Sequence, residues 1–166
     1  MTMISEQVDK APILVFAYGN PSRGDDGLGP AMHNMLEEML EDEGASVDLL
    51  TDFQLQVEHA VDLHGRDGVL FIDAGMASDE PFDFHPLQAK RDDSITSHAM
   101  SPSAVLDVYR EVHQQKPPPS YMLTIRGYEF ELGSELSEQA RNNLRHSLSF
   151  LRELLSTPVK GWTNII

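Results

Sequence analysis

The stretch that most constrains this chain is Gly19 to Pro30, GNPSRGDDGLGP, together with what flanks it. An apolar run, Ile13-Leu14-Val15-Phe16-Ala17, leads into it, and an amphipathic segment beginning at Leu28 leads away. That is the grammar of a strand, a glycine-rich turn and a helix, the unit in which α/β proteins place binding sites. Two carboxylates, Asp25 and Asp26, stand at the mouth of the helix. Gly19 and Gly24 have the glycine spacing of a phosphate-binding loop, but in such a loop Lys and then Ser or Thr follow the second glycine. Two acids there repel a phosphate and suit a cation or a polarised water. Pro21 stands where a dinucleotide-binding loop needs its second glycine, so nucleotide binding is disfavoured.

The remaining chain repeats the same alternation. Pro12–Tyr18 reads as a buried strand. Leu28, Met32, Met35, Leu36, Met39 and Leu40 then form one helical stripe, with Glu37, Glu38, Glu41, Asp42 and Glu43 outward and Gly44 as the stop. Ser46–Leu50 is a short strand. Gln54–His64 reads as a helix with Val57, Ala60 and Val61 inward. Gly68–Asp73 is the clearest buried strand, and Phe82–Leu87 is a further strand inside an otherwise loop-like 76–100. Ser101-Pro102 opens a helix with Val105, Val108, Tyr109 and Val112 inward, Ser serving as N-cap and Pro as first helical residue. Tyr121–Tyr128 is a strand. Ser137 opens a last helix with Ala140, Leu144, Leu148, Leu151 and Leu155 on one face, and Pro158 ends it. Residues 1–11 and 158–166 are expected as irregular tails of one domain. The pattern implies an α/β fold of three layers, a mostly parallel sheet between helices.

Composition narrows the function. With 166 residues and 40% apolar content the chain can bury a real core. A formal charge of −15 argues against nucleic acid and anionic membrane surfaces. Without a cysteine there is no disulfide, thiolate metal site or Cys nucleophile. No segment reaches membrane-spanning length and the first ten residues lack the apolar core of a signal peptide, so the cytoplasm is the expected location. Evenly acidic helix faces point to a monomer.

In a parallel sheet, ligands sit beyond the carboxyl ends of the strands. Asp26 after the first strand, Asp73 closing the third, and His98 before the Ser101 helix all fall on that edge. Two hard oxygens and an imidazole can hold a transition-metal ion with positions left open. Each residue also has a plainer reading. Asp25 or Asp26 can cap the helix, Asp73 can be a turn residue, and His98 is one of seven histidines. Glu58 reads as a solvated helical glutamate, and Arg23 as a neutraliser of Asp25 and Asp26. His33, His59, His64, His113 and His146 carry no assigned role, and the methionines from Met32 to Met39 are core.

The sequence resembles the hydrogenase maturation proteases, the endopeptidases that trim the C-terminus of the large subunit of [NiFe] hydrogenases. It is especially similar to the branch serving bidirectional, NAD-coupled enzymes. The resemblance spans roughly residues 12 to 155 and is most specific in ILVFAYGNPSRGDDGLGP. Asp73 in LFIDAG matches the family's acid closing a central strand, and His98 in TSHAMSP matches its histidine in a Ser- or Thr-rich loop. The resemblance implies that Asp26, Asp73 and His98 contact metal and carry catalysis. It implies a supporting loop of Gly19, Asn20, Asp25 and Gly27, with Glu58 of QLQVEHA nearby. It also implies a twisted sheet of about five strands. The partner would be a hydrogenase large-subunit precursor, whose already inserted nickel is recognised rather than held permanently by the protease. A set of two carboxylates and one imidazole suits that task, since it can share a metal without stripping it from a thiolate-rich donor. One departure is Thr51-Asp52-Phe53-Gln54, where many members carry an Asp-Gly-Gly-Thr-like turn. Rival readings are a non-proteolytic nickel-binding assembly chaperone and a small-molecule hydrolase on the same scaffold.

Overall fold

The computed structural model describes residues 10–43, 46–91 and 100–165. Five strands form one sheet: β1 (Ile13–Tyr18), β2 (Val47–Asp52), β3 (Gly68–Gly75), β4 (Phe82–Leu87) and β5 (Ser120–Arg126). Their order is β2-β1-β3-β5-β4. β2, β1, β3 and β5 run parallel, and β4 joins β5 antiparallel at the edge. This is the three-layer α/β architecture expected from the sequence.

The central strands read as unbroken apolar runs because both faces of the sheet are covered. Val15, Ala17, Leu70, Ile72, Leu123 and Ile125 point to one face. There they meet Leu28, Met32 and Leu36 of α1 (Leu28–Glu43) and Ala140, Leu144, Leu151 and Leu154 of α3 (Glu138–Leu155). Leu14, Phe16, Tyr18, Val69, Phe71 and Met122 point to the other face, against Val105, Leu106 and Tyr109 of α2 (Pro102–His113). Each large apolar side chain so buried stabilises the fold by about 1.5–3 kcal/mol.

Several sequence expectations need correction. Gln54–His64 is not an α-helix; Val57–Leu63 forms a 3₁₀ helix. Ala60 and Leu63, one 3₁₀ turn apart, align inward together with Leu55 from the preceding loop, whereas Val57, at the start of the helix, and Val61 are exposed. In α2 the buried stripe passes from Tyr109 to His113, whose ring stacks on Tyr109, so Val112 faces outward. β2 runs two residues beyond Leu50, and β3 two beyond Asp73. β5 stops at Arg126 rather than Tyr128, because the amides of Tyr128 and Glu129 are diverted to Asp25. The segment after Pro158 is not irregular. Val159–Asn164 is a 3₁₀ helix that buries Trp162 completely, its ring edge-on to Tyr121. Among the described residues no helix is long and apolar enough to cross a membrane.

Candidate functional site

The loop after β1 is built around positions that tolerate only glycine. Gly19 has φ +148°, and a Cβ there would lie 2.0 Å from the Asp26 carbonyl oxygen. Gly24 has φ +55°, with a Cβ 2.4 Å from the Glu129 carbonyl oxygen. The chain therefore doubles back tightly and enters a 3₁₀ turn, Gly24–Gly27, that runs on into α1. Gly27 is buried in that turn, close under Pro21.

Asp25 and Asp26 point to opposite environments from this turn. Asp25 is fully buried. Its Oδ1 accepts the Ser137 amide at 2.7 Å; its Oδ2 accepts the amides of Tyr128 and Glu129 at 2.7 and 3.0 Å and the Ser137 hydroxyl at 2.8 Å. Burial pushes its pKa up, but these bonds outweigh burial and hold it below the usual carboxylate range. Asp25 caps no helix of its own; it ties the β1 loop to β5 and to the start of α3.

Asp26 is half-buried and accepts the Asn20 backbone amide on Oδ2 at 2.8 Å, while the Asn20 side-chain Oδ1 accepts the Ser22 amide at 2.9 Å. It borders two adjoining cavities. One, of about 350 Å³, is lined by Tyr18, Gly19, Asp26, Phe53, Asp73 and Ser101 among others. The second, of about 450 Å³, is lined by Asn20, Arg23, Asp26, Asp52, Gln54 and Gln56 with Phe53. Arg23 is exposed there and forms no ion pair with a described residue. A larger cavity of about 530 Å³ lies at the other end of the sheet, beside Ile13, Pro119 and Tyr121. It lacks the convergent carboxylates that chemistry would need.

Asp73 reaches the smaller cavity from β3. Its Oδ1 accepts the Ala74 amide at 2.7 Å. Burial raises its pKa to about 7, helped by the charge of Asp26 and opposed by the Ala74 bond. Tyr18, the last residue of β1, is 7% exposed and lines the same cavity. Its phenol pKa is pushed well above the ordinary value, by burial first and then by Asp73 and Asp26, so the hydroxyl keeps its proton.

Asp26 and Asp73 thus meet in one cavity at the carboxyl edge, as the topology of a parallel sheet implies. His98 lies outside the described residues; Met100, Ser101 and Pro102 line the cavity. Among the described residues no three potential ligands cluster tightly enough to hold a metal ion. Glu58 is exposed and borders neither cavity. Asp52 and His59 form a pair that the sequence did not announce. His59 Nε2 lies 3.3 Å from Asp52 Oδ2, and its Nδ1 accepts the Gln56 amide at 2.8 Å. With both ring nitrogens engaged and its edge on Phe16, His59 clamps the 3₁₀ helix to the end of β2. The only local signal was the Gln56-x-x-His59 spacing of a capping box.

No protein-family model matches the chain, and no curated protein matches it significantly in sequence. Solved structures do match. The [NiFe] hydrogenase maturation protease HycI from Thermococcus kodakarensis superposes with a TM-score of 0.67 at 19% identity, covering 90% of this chain and 96% of its own. The hydrogenase maturating endopeptidase HybD from E. coli gives 0.59 at 20% identity, covering 85% and 92%. The hydrogenase 2 maturation peptidase from a Thaumarchaeota archaeon gives 0.60 at 22%, covering 86% and 97%. The chain therefore shares, over most of its length, the fold of the hydrogenase maturation proteases.

Proposed function

We propose that this protein is an endopeptidase that removes the C-terminal extension of a [NiFe] hydrogenase large-subunit precursor after nickel insertion. The observation that carries the reading is the convergence of Asp26 and Asp73 in one cavity at the carboxyl edge of this fold, on the residues where the sequence resembles those proteases. The nickel arrives as part of the substrate. Asp26 and Asp73, with His98 as the third contact, approach it and hold the precursor's tail across the cavity. One of the carboxylates takes a proton from the attacking water and returns it to the leaving amine. The likeness of the sequence to the branch serving bidirectional, NAD-coupled enzymes supports a precursor from such an enzyme. The polar cavity beside Arg23 and Gln56 offers room for the chain on one side of the scissile bond.

Asp26→Asn keeps the shape of the side chain and its acceptor for Asn20, but removes the charge. Cleavage of a nickel-loaded precursor, followed by gel shift, is expected to slow by about 10²–10⁴-fold, the usual scale for a lost acid–base group. Wild-type cleavage by this variant would remove Asp26 from the mechanism.

A further inference from the structure

Water attacking a peptide carbonyl leaves negative charge on the carbonyl oxygen, and two carboxylates cannot stabilise it. A donor is needed, held where that charge develops. The structure provides a candidate in the strand register. Tyr18 pairs with Asp52 on β2. The next residues after the Ala17–Ile72 pair are Tyr18 and Asp73, so these stand side by side on adjacent parallel strands. Asp73 in turn pairs with Thr124 of β5. Tyr18 shares a sheet face with Phe16, and Asp73, two residues beyond Phe71, shares that same face. The Tyr18 and Asp73 side chains therefore project together, on rigid strands, into the cavity that Asp26 also borders.

Packing does not explain the hydroxyl. The ring of Tyr18 lies edge-on to Phe16, with centroids 6.2 Å apart, and a phenylalanine would make the same contact. No described residue hydrogen-bonds the Tyr18 hydroxyl, and it is not sealed away from solvent, so it is open to a partner in the cavity. Ser101, another hydroxyl in the cavity, accepts the Ala104 amide and keeps its own O–H, but it stands exposed at the start of α2 rather than on a strand beside Asp73.

We propose that Tyr18 is a further catalytic residue, donating a hydrogen bond to the scissile carbonyl oxygen as it becomes an oxyanion. The inference rests on the endopeptidase reading above. In the addition step the water oxygen bonds to the carbonyl carbon, its proton passes to a carboxylate, and the C=O π pair moves onto oxygen. In the collapse step the C–N bond breaks, the oxygen pair re-forms the carbonyl, and the carboxylate delivers its proton to the amine. Tyr18 keeps its own proton throughout.

The test is Tyr18→Phe in the full chain, assayed on nickel-loaded precursor alongside wild type. The expected result is a kcat lower by about 10²-fold, with KM and melting temperature unchanged. An unchanged kcat would overturn the assignment while leaving the endopeptidase reading intact. A loss that comes through a raised KM or a lowered melting temperature would make Tyr18 a packing residue and overturn it equally. If wild type itself leaves the loaded precursor uncut, the endopeptidase reading fails and the role of Tyr18 falls with it.

Discussion

Asp25 and Asp26 share a peptide bond, yet one carboxylate is closed in by four donated hydrogen bonds and the other opens on two cavities. Asp25→Ala would strand three amides and a hydroxyl, and should cost at least about 3 kcal/mol in denaturant unfolding. Because its pKa is lowered in the fold, Asp25 contributes stability that is present above the unfolded carboxylate pKa. That contribution is lost as pH falls through the lowered value. Asp73 has the opposite sign. Its pKa is raised to about 7, so its fold is most favourable while it is protonated, and stability is lost as pH rises from about 4 through 7. Asp73→Asn should therefore melt higher than wild type at pH 8, by on the order of 1–3 kcal/mol in stability, with the gain smaller at pH 5 and gone only below about pH 4. An equal difference at both pH values would show that the carboxylate is not destabilised by its site. Such a gain at neutral pH would mark Asp73 as a residue kept for chemistry at the expense of stability.

At the scale of elements, local pattern went far and then failed for identifiable reasons. The apolar strand before the glycine loop, the stripe of α1, the Ser101-Pro102 start of α2 and the Ser137 start of α3 were all legible, because each is specified within a few residues. The end of β5 was not legible. Its last amides are claimed by Asp25, more than a hundred positions away in sequence, and no local window carries that contact. The 3₁₀ helix at Val57–Leu63 was read as α because a few apolar residues over one or two turns fit both periods. Topology was enough to put Asp26 and Asp73 on the carboxyl edge, whereas Tyr18 reads simply as the last apolar residue of a strand until the register sets it beside Asp73. The segment after Pro158 was read as a tail because Trp162 stands alone among polar residues, and only the fold shows it entering the core. Its indole N–H donates to the Thr157 carbonyl at 2.9 Å. Trp162→Ala should destabilise the protein by about 3–5 kcal/mol, the range for emptying a large aromatic site, and chemical denaturation would measure it. A cost under about 1 kcal/mol would mean that the final 3₁₀ helix is dispensable.

For the whole molecule, the parallel sheet brings together residues that no local motif links, and helices on both faces fix the carboxyl edge as the place where ligand chemistry can occur. The chain is strongly acidic, with a formal charge of −15, and the candidate site itself carries two carboxylates. Both features suit a metal-bearing protein substrate better than a phosphorylated one. The central claim is that the protein cuts a hydrogenase large-subunit precursor and does so only once nickel is in place. Intact mass of that precursor, incubated with the protein in nickel-loaded and nickel-free forms, tests it most directly. Loss of a C-terminal peptide from the loaded form alone is the expected result. An unchanged mass for the loaded form would contradict proteolysis and leave a binding role for the Asp26–Asp73 cavity, and equal cutting of both forms would contradict recognition through nickel.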